Sequence, residues 1–273
     1  MNNKSKIELV VVLIAIVLIG ITLFLKLPTK KAGPADYKTA SYTIDGKSTS
    51  LLYFGNEARG DLNGDGVEDI AFLATQDGGG SGTFYYVVVA LGGAGTSVGG
   101  YFGTNGILLG DRIAPQTTEI RDGLVIVNYA ERAAGEPMTT RPSVGVSKYL
   151  FISNGTLVEN KKHDLVQVTS PRPNAEISSP LTITGQARGT WYFEASFPVA
   201  LVDWDGKIIA QGIAQAQSDW MSPDFVPFIA KLTFKTADIP NGYSNKGTLI
   251  LKKDNPSGLP EHDDALEIPI IFK

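Results

Sequence analysis

The longest apolar run of the chain covers residues 7–25, nineteen positions with a single charged side chain, Glu8. A run of that length spans the hydrocarbon core of a bilayer as one helix. Lysines lie on both sides of it, so the positive-inside rule does not set its direction. The short tail before the run favours a cytoplasmic N-terminus with the rest of the chain exported. We predict an uncleaved transmembrane signal anchor over residues 1–31, because a cleaved signal peptide has a shorter apolar core.

Residues 32–160 alternate short β-prone runs with turn dipeptides. Asp45-Gly46, Asp122-Gly123 and Asn154-Gly155 each separate two such runs, which is a strong short-range signal of a β-hairpin. Residues 83–91 are long and β-branched enough to form a central strand. The pattern predicts an antiparallel β domain.

A second series of short strands follows the charged junction at residues 161–164. Over residues 165–273, about seven short segments separated by turns have the sequence form of a β-sandwich with immunoglobulin-like architecture. We therefore predict an all-β fold in three parts. The N-terminal transmembrane helix comes first, then the antiparallel β domain, then the immunoglobulin-like β-sandwich.

Composition and charge exclude several classes of site. The chain has no cysteine and two histidines, which rules out disulfides, thiolate sites and a histidine-rich zinc site. The net charge is −4, and residues 1–31 carry five lysines against one glutamate. The exported part is therefore more acidic than the whole chain. Without a basic stripe we expect no nucleic-acid partner.

The nonapeptide at residues 61–69 has the ligand order of a calcium loop. Hard cations take oxygen ligands, and a glycine such as Gly66 permits the tight turn that brings them together. Phe72 stands where an EF-hand has its last glutamate, so the loop is expected between two strands instead. We predict a structural Ca²⁺ ion, with a polar turn as the alternative. The predicted ligands are Asp61, Asn63, Asp65, the carbonyl of Val67, and Asp69.

Together with Phe54-Gly55, this loop resembles one copy of the FG-GAP family of repeats, whose signature includes a D-x-N-x-D-G-x-x-D loop. The resemblance covers residues 54–69. FG-GAP repeats build propellers from several copies, and the sequence has one such loop, so a propeller is not expected.

A second resemblance covers nearly all of residues 165–273. Its motifs lie at residues 179–189, 191–199, 214–221, 224–228 and 253–264. They are similar to the immunoglobulin-like domain named for bacterial spore-germination proteins. The resemblance implies a β-sandwich module of bacterial envelope proteins. With the anchor, it implies a single-pass protein of the bacterial cell membrane, whose N-terminus is cytoplasmic and whose β domains are extracytoplasmic.

Four residues of the second domain are candidates for a ligand platform: Trp191, Tyr192, Glu194 and Trp220. Their aromatic rings suit a glycan or a peptide, but large aromatic side chains also fill sandwich cores. Glu194 would be costly to bury unpaired, so it is expected to face solvent or to meet Arg188.

No catalytic motif selects an enzyme, and we predict a non-catalytic interaction protein whose partner is an envelope protein or a glycan. One alternative is a cell-wall carbohydrate-active hydrolase, which requires a cleft with two carboxyl groups about 5 to 9 Å apart. The other is a purely structural spacer, which predicts no ligand-sized pocket.

Overall fold

The computed structural model describes residues 36–77, 79–93, 100–235 and 244–273. The predicted anchor at residues 1–31 lies outside them. Within the described ranges no helix is long and apolar enough to cross a membrane. The described residues belong to one compact unit. Its regular elements are strands and short 3₁₀ turns, so the prediction of an all-β fold is confirmed.

The first domain contains eleven of the described strands. They are β1 (Tyr42–Ile44), β2 (Lys47–Thr49), β3 (Leu52–Gly60), β4 (Asp69–Asp77), β5 (Thr83–Gly92), β6 (Tyr101–Gly103), β7 (Ile107–Asp111), β8 (Ala114–Arg121), β9 (Leu124–Glu131), β10 (Val144–Ser153) and β11 (Thr156–Glu159). Strands β3-β4-β5-β6 form one sheet with β7 also paired to β5, strands β11-β10-β9-β8 form a second, and β1 pairs with β2.

Two-residue turns join three of the hairpins in this domain. Asp45-Gly46, Asp122-Gly123 and Asn154-Gly155 all have positive φ at both positions, between 50° and 78°. Such turns match the twist of antiparallel strands, and glycine adopts a positive φ without steric cost. The three predicted hairpins are confirmed.

The core of the first domain lies between its two larger sheets. It contains Leu73 and Val87 from one sheet and Val125, Val127 and Leu150 from the other, all fully buried. A smaller cluster around Tyr42 and Phe72 covers the opposite face of β4 and β5. Strands β4 and β5 are therefore apolar on both faces, as expected for central strands.

The second domain contains eight of the described strands. They are β12 (Val166–Ser170), β13 (Glu176–Ile177), β14 (Leu181–Arg188), β15 (Ser196–Asp203), β16 (Ile208–Ala216), β17 (Phe225–Leu232), β18 (Lys246–Lys252) and β19 (Ala265–Phe272). Their order in the sheet is β12-β14-β17-β16-β15-β18-β19-β13. Only two residue pairs join β16 to β17, so the sheet folds there into the two layers of a β-sandwich. Its core includes Trp191, Phe197, Phe228 and Leu251.

Candidate functional site

The predicted calcium loop connects two paired antiparallel strands, β3 and β4. Gly64 and Gly66 have φ values of +75° and +78°, which other residues adopt only with strain. The expectation of a loop between strands agrees with this position, and Phe72 lies in the core of the domain.

Three side chains of the loop bond to its own backbone. The Asp61 carboxylate accepts from Gly64 N (2.8 Å) and Gly66 N (2.9 Å). Asn63 Oδ1 accepts from Asp65 N (3.0 Å), and Asp65 Oδ1 accepts from Val67 N (2.9 Å). The structure therefore gathers Asp61, Asn63 and Asp65 on one turn. A carboxylate or amide oxygen that accepts one hydrogen bond still has a lone pair for a cation.

Asp69 is placed differently, at the base of the loop and fully buried. Its two carboxylate oxygens accept from Leu62 N (2.8 Å) and Gly92 N (2.9 Å). Burial raises the pKa of Asp69 to about 6, although the two backbone donors lower it, and the negative charges of Asp65 and Asp61 add to the rise. Asp69 thus ties the loop to the end of β5 through backbone hydrogen bonds.

Over the ranges that the structure describes, no group of three or more His, Asp or Glu side chains is arranged to hold a metal ion. The predicted ligand set has only three carboxylates, and each of them already accepts at least one hydrogen bond from a backbone N–H. The side-chain oxygen atoms of the loop are nevertheless the type of ligand that calcium prefers. Calcium binding at residues 61–69 stays a prediction.

Asn174 connects this loop to the second domain. Its side-chain amide donates to Leu62 O (2.8 Å) and to Ile152 O (2.7 Å), while its backbone N–H donates to Pro269 O (2.7 Å). It has a φ of +60° and is 9% exposed. A Cβ on Gly64 would lie 2.3 Å from Asn174 O, so the loop backbone packs directly on this residue. The sequence does not predict this role of Asn174, because its partners are distant along the chain.

A cavity of about 310 Å³ lies at the junction of the two domains. Residues of β9 and β10 line it from the first domain, and residues of β12 and β19 line it from the second. Asp122 is the one carboxylate among the lining residues, and it pairs with Arg172 at 2.6 Å.

His163 stands in the wall of this cavity, stacked on Tyr149 with ring centroids 3.3 Å apart and an angle of 9° between the planes. Burial lowers the pKa of His163, and the nearby Asp164 carboxylate, 3.9 Å away, offsets part of that effect. The imidazole is therefore neutral at pH 7.

This lowered pKa predicts that part of the stability depends on pH. An unfolded histidine titrates near 6.5 and takes up protons before the folded one does, so stability is lost as the pH falls from about 6.5 through the folded pKa. We expect the stability advantage of wild type over His163→Gln to shrink between pH 7.5 and pH 5. Urea unfolding of both proteins at each pH measures this. An advantage that stays constant or grows on acidification would contradict it.

The four candidate ligand residues of the second domain do not form one exposed platform. Trp191 and Tyr192 are buried in the core, where the Tyr192 hydroxyl donates to Val226 O at 2.7 Å. Trp220 packs partly buried against the same core. These positions fit the alternative in which large aromatic side chains fill the core of the sandwich. Glu194 is exposed to solvent.

Glu194 is the partner that the sequence suggests for Arg188, but the structure places other groups around the Arg188 guanidinium. Its guanidinium donates to Asp164 O and Pro223 O and lies 4.2 Å from the centre of the Phe225 ring.

Comparison with known protein families gives a match in the second domain. Residues 165–255 match the family described as the immunoglobulin-like domain of bacterial spore germination, and this confirms the resemblance of the second domain. No curated protein matches the chain, and no solved structure does. The FG-GAP resemblance of residues 54–69 stays a prediction. A domain of the matched kind is non-catalytic and suggests a binding or structural role.

Proposed function

We propose that this chain, whose second domain is of the immunoglobulin-like kind found in bacterial spore germination, is a membrane-anchored interaction protein of the bacterial cell envelope. The family match over residues 165–255 carries the proposal. The apolar run at residues 7–25 supplies the membrane anchor, and the two β domains lie outside the cytoplasm. The proposed partner is an envelope protein or a glycan.

A binding role accounts for the junction cavity better than the two alternatives. A cavity of about 310 Å³ is large enough for a small ligand, and a purely structural spacer does not need one. A hydrolase of the usual kind needs two free carboxyl groups across a cleft. This cavity has one carboxylate on its lining, Asp122, which is paired to Arg172.

Calcium has a structural role in this proposal. Asp61, Asn63, Asp65 and the carbonyl of Val67 would hold the ion, and Asp69 would secure the loop beneath them through Leu62 and Gly92. When bound, the ion supplies positive charge against three neighbouring carboxylates. Because the Leu62 carbonyl accepts from Asn174, an ordered loop also stabilises the contact between the two domains.

The anchor is tested by fractionation of bacteria that express the full chain or residues 32–273 alone. We expect the full chain to stay with the membranes after an alkaline carbonate wash, because its apolar segment is long enough to span the bilayer. Residues 32–273 should be recovered as soluble protein. If expression of the full chain instead gives soluble protein with a shortened N-terminus, the apolar segment is a cleaved signal peptide and the proposal is contradicted.

A further inference from the structure

The floor of the junction cavity is apolar and comes from both domains. Ile126 and Phe151 lie on the face of the β8–β11 sheet that is turned away from the core of the first domain. Leu266 and Ile268 come from β19 of the second domain, and all four side chains are buried. A cavity of about 310 Å³ is at the small end of the range for small-molecule sites, which are also typically apolar and common at domain interfaces.

One wall of the cavity is flat and held in place. The Tyr149 and His163 rings stack face to face. Gln167 Nε2 donates to the His163 carbonyl (3.0 Å), and Gln186 Nε2 donates to Gln167 Oε1 (2.7 Å). These bonds fix the segment that carries His163, so the stacked pair offers a preformed surface to a planar group.

The rim of the cavity carries more positive than negative charge. Two guanidinium groups, those of Arg121 and Arg172, line it together with a single carboxylate. Arg172 pairs with Asp122 at 2.6 Å, whereas Arg121 reaches Glu119 only at 3.8 Å, with 65% of its side chain exposed. Such an exposed ion pair with a long distance contributes little to the free energy of folding. The Arg121 guanidinium can therefore turn to an anion on a ligand and bind it through two parallel N–H donors.

We propose that this cavity binds a small anionic amphiphile with a planar apolar body. The body lies on the floor of Ile126, Phe151 and Ile268 beside the Tyr149–His163 wall, and the anionic group meets Arg121 at the rim. The proposal rests on the binding role proposed above and names the class of ligand. It depends neither on calcium nor on the anchor.

The test uses 2-naphthoate as an anionic probe and 2-naphthamide as its neutral counterpart. Equilibrium dialysis against the full chain in lipid nanodiscs measures each affinity, and empty nanodiscs give the background. We expect saturable binding of one naphthoate per chain, about tenfold or more tighter than naphthamide, because a charge-assisted hydrogen bond adds to the same ring contacts.

Three variants locate the site. Arg121→Gln should reduce the affinity for naphthoate to that for naphthamide and leave naphthamide unchanged. Ile126→Trp, which fills the floor, should weaken both probes. Arg141→Gln removes an exposed arginine that does not line the cavity, and it should change neither.

Absence of saturable binding, or naphthoate binding that Arg121→Gln leaves unchanged, would overturn the proposal. Arg121 is exposed, so its replacement does not endanger folding and the test holds even where Ile126→Trp fails to fold. If the chain binds neither probe but stays in the membrane fraction, the proposed ligand class is wrong and the proposed envelope role is unaffected.

Discussion

Replacing Trp191 by alanine is expected to lower the free energy of unfolding by about 3–5 kcal/mol, the usual cost of truncating a buried tryptophan. The side chain is 1% exposed and belongs to the core of the second domain, in the same cluster as Tyr192 and Phe197. Its indole N–H is buried and has no hydrogen-bond partner among the described residues. Trp191→Phe should therefore cost much less, about 1–2 kcal/mol, because it removes ring volume but no hydrogen bond.

Urea unfolding of the two variants measures both costs, with Met221→Ala as the control. Met221 is 76% exposed, so its truncation should change the free energy of unfolding by no more than about 0.5 kcal/mol. If Trp191→Ala is as mild as the control, Trp191 is not part of the core and its ring is available to a ligand.

Replacing Asn174 by alanine is expected to lower the free energy of unfolding by about 3–7 kcal/mol. Two buried carbonyls, those of Leu62 and Ile152, lose their donor at about 1–3 kcal/mol each. Alanine at a φ of +60° adds about 1 kcal/mol of backbone strain. Asn174→Gly keeps the positive φ without that strain, so it should recover about 1 kcal/mol of the loss.

Asn154→Ala is the matched control for this experiment. Asn154 also has a positive φ, 50°, but it lies exposed in the β10–β11 hairpin turn. Its replacement should therefore show the strain of about 1 kcal/mol alone. Equal losses for the Asn174→Ala and Asn154→Ala variants in urea unfolding would mean that the contact between the domains adds no stability.

The elements of the fold could be predicted where the signal is local. Asp122-Gly123 and Asn154-Gly155 specify their turns within two residues, because both positions need a positive φ. The strands on either side follow from apolar and β-branched runs. The contact between the domains has no such signal, since Asn174 lies 112 residues from Leu62 along the chain.

One strand of the interface between the domains does have a signal in the sequence. Residues 124–127 form a continuous apolar run, which is typical of a strand buried on both faces. Val125 and Val127 face the first core, while Leu124 and Ile126 line the junction cavity. The sequence predicts this run only as one strand of a hairpin, because no local signal indicates that a second domain packs against it.

The site residues could be predicted only in part, for a physical reason. An aromatic cluster such as Trp191 and Tyr192 has the same composition in a core as on a ligand platform, and burial alone separates the two. Asp69 fits the ligand order of the loop, yet a carboxylate also serves as an acceptor for backbone N–H groups. Sequence spacing does not distinguish those two uses.

The most direct test of the proposed calcium site is thermal unfolding of the chain in calcium and in chelator, with Asp65→Ala and Asp69→Ala beside the wild type. At a calcium concentration about 100 times the Kd, the wild-type midpoint should rise by about 5–10 °C. Asp65→Ala should lose that rise and change little in chelator. Asp69→Ala should unfold earlier in both conditions, because Leu62 N and Gly92 N lose their buried acceptor. A wild-type midpoint that millimolar calcium leaves unchanged would contradict the calcium site and reduce residues 61–69 to a polar turn.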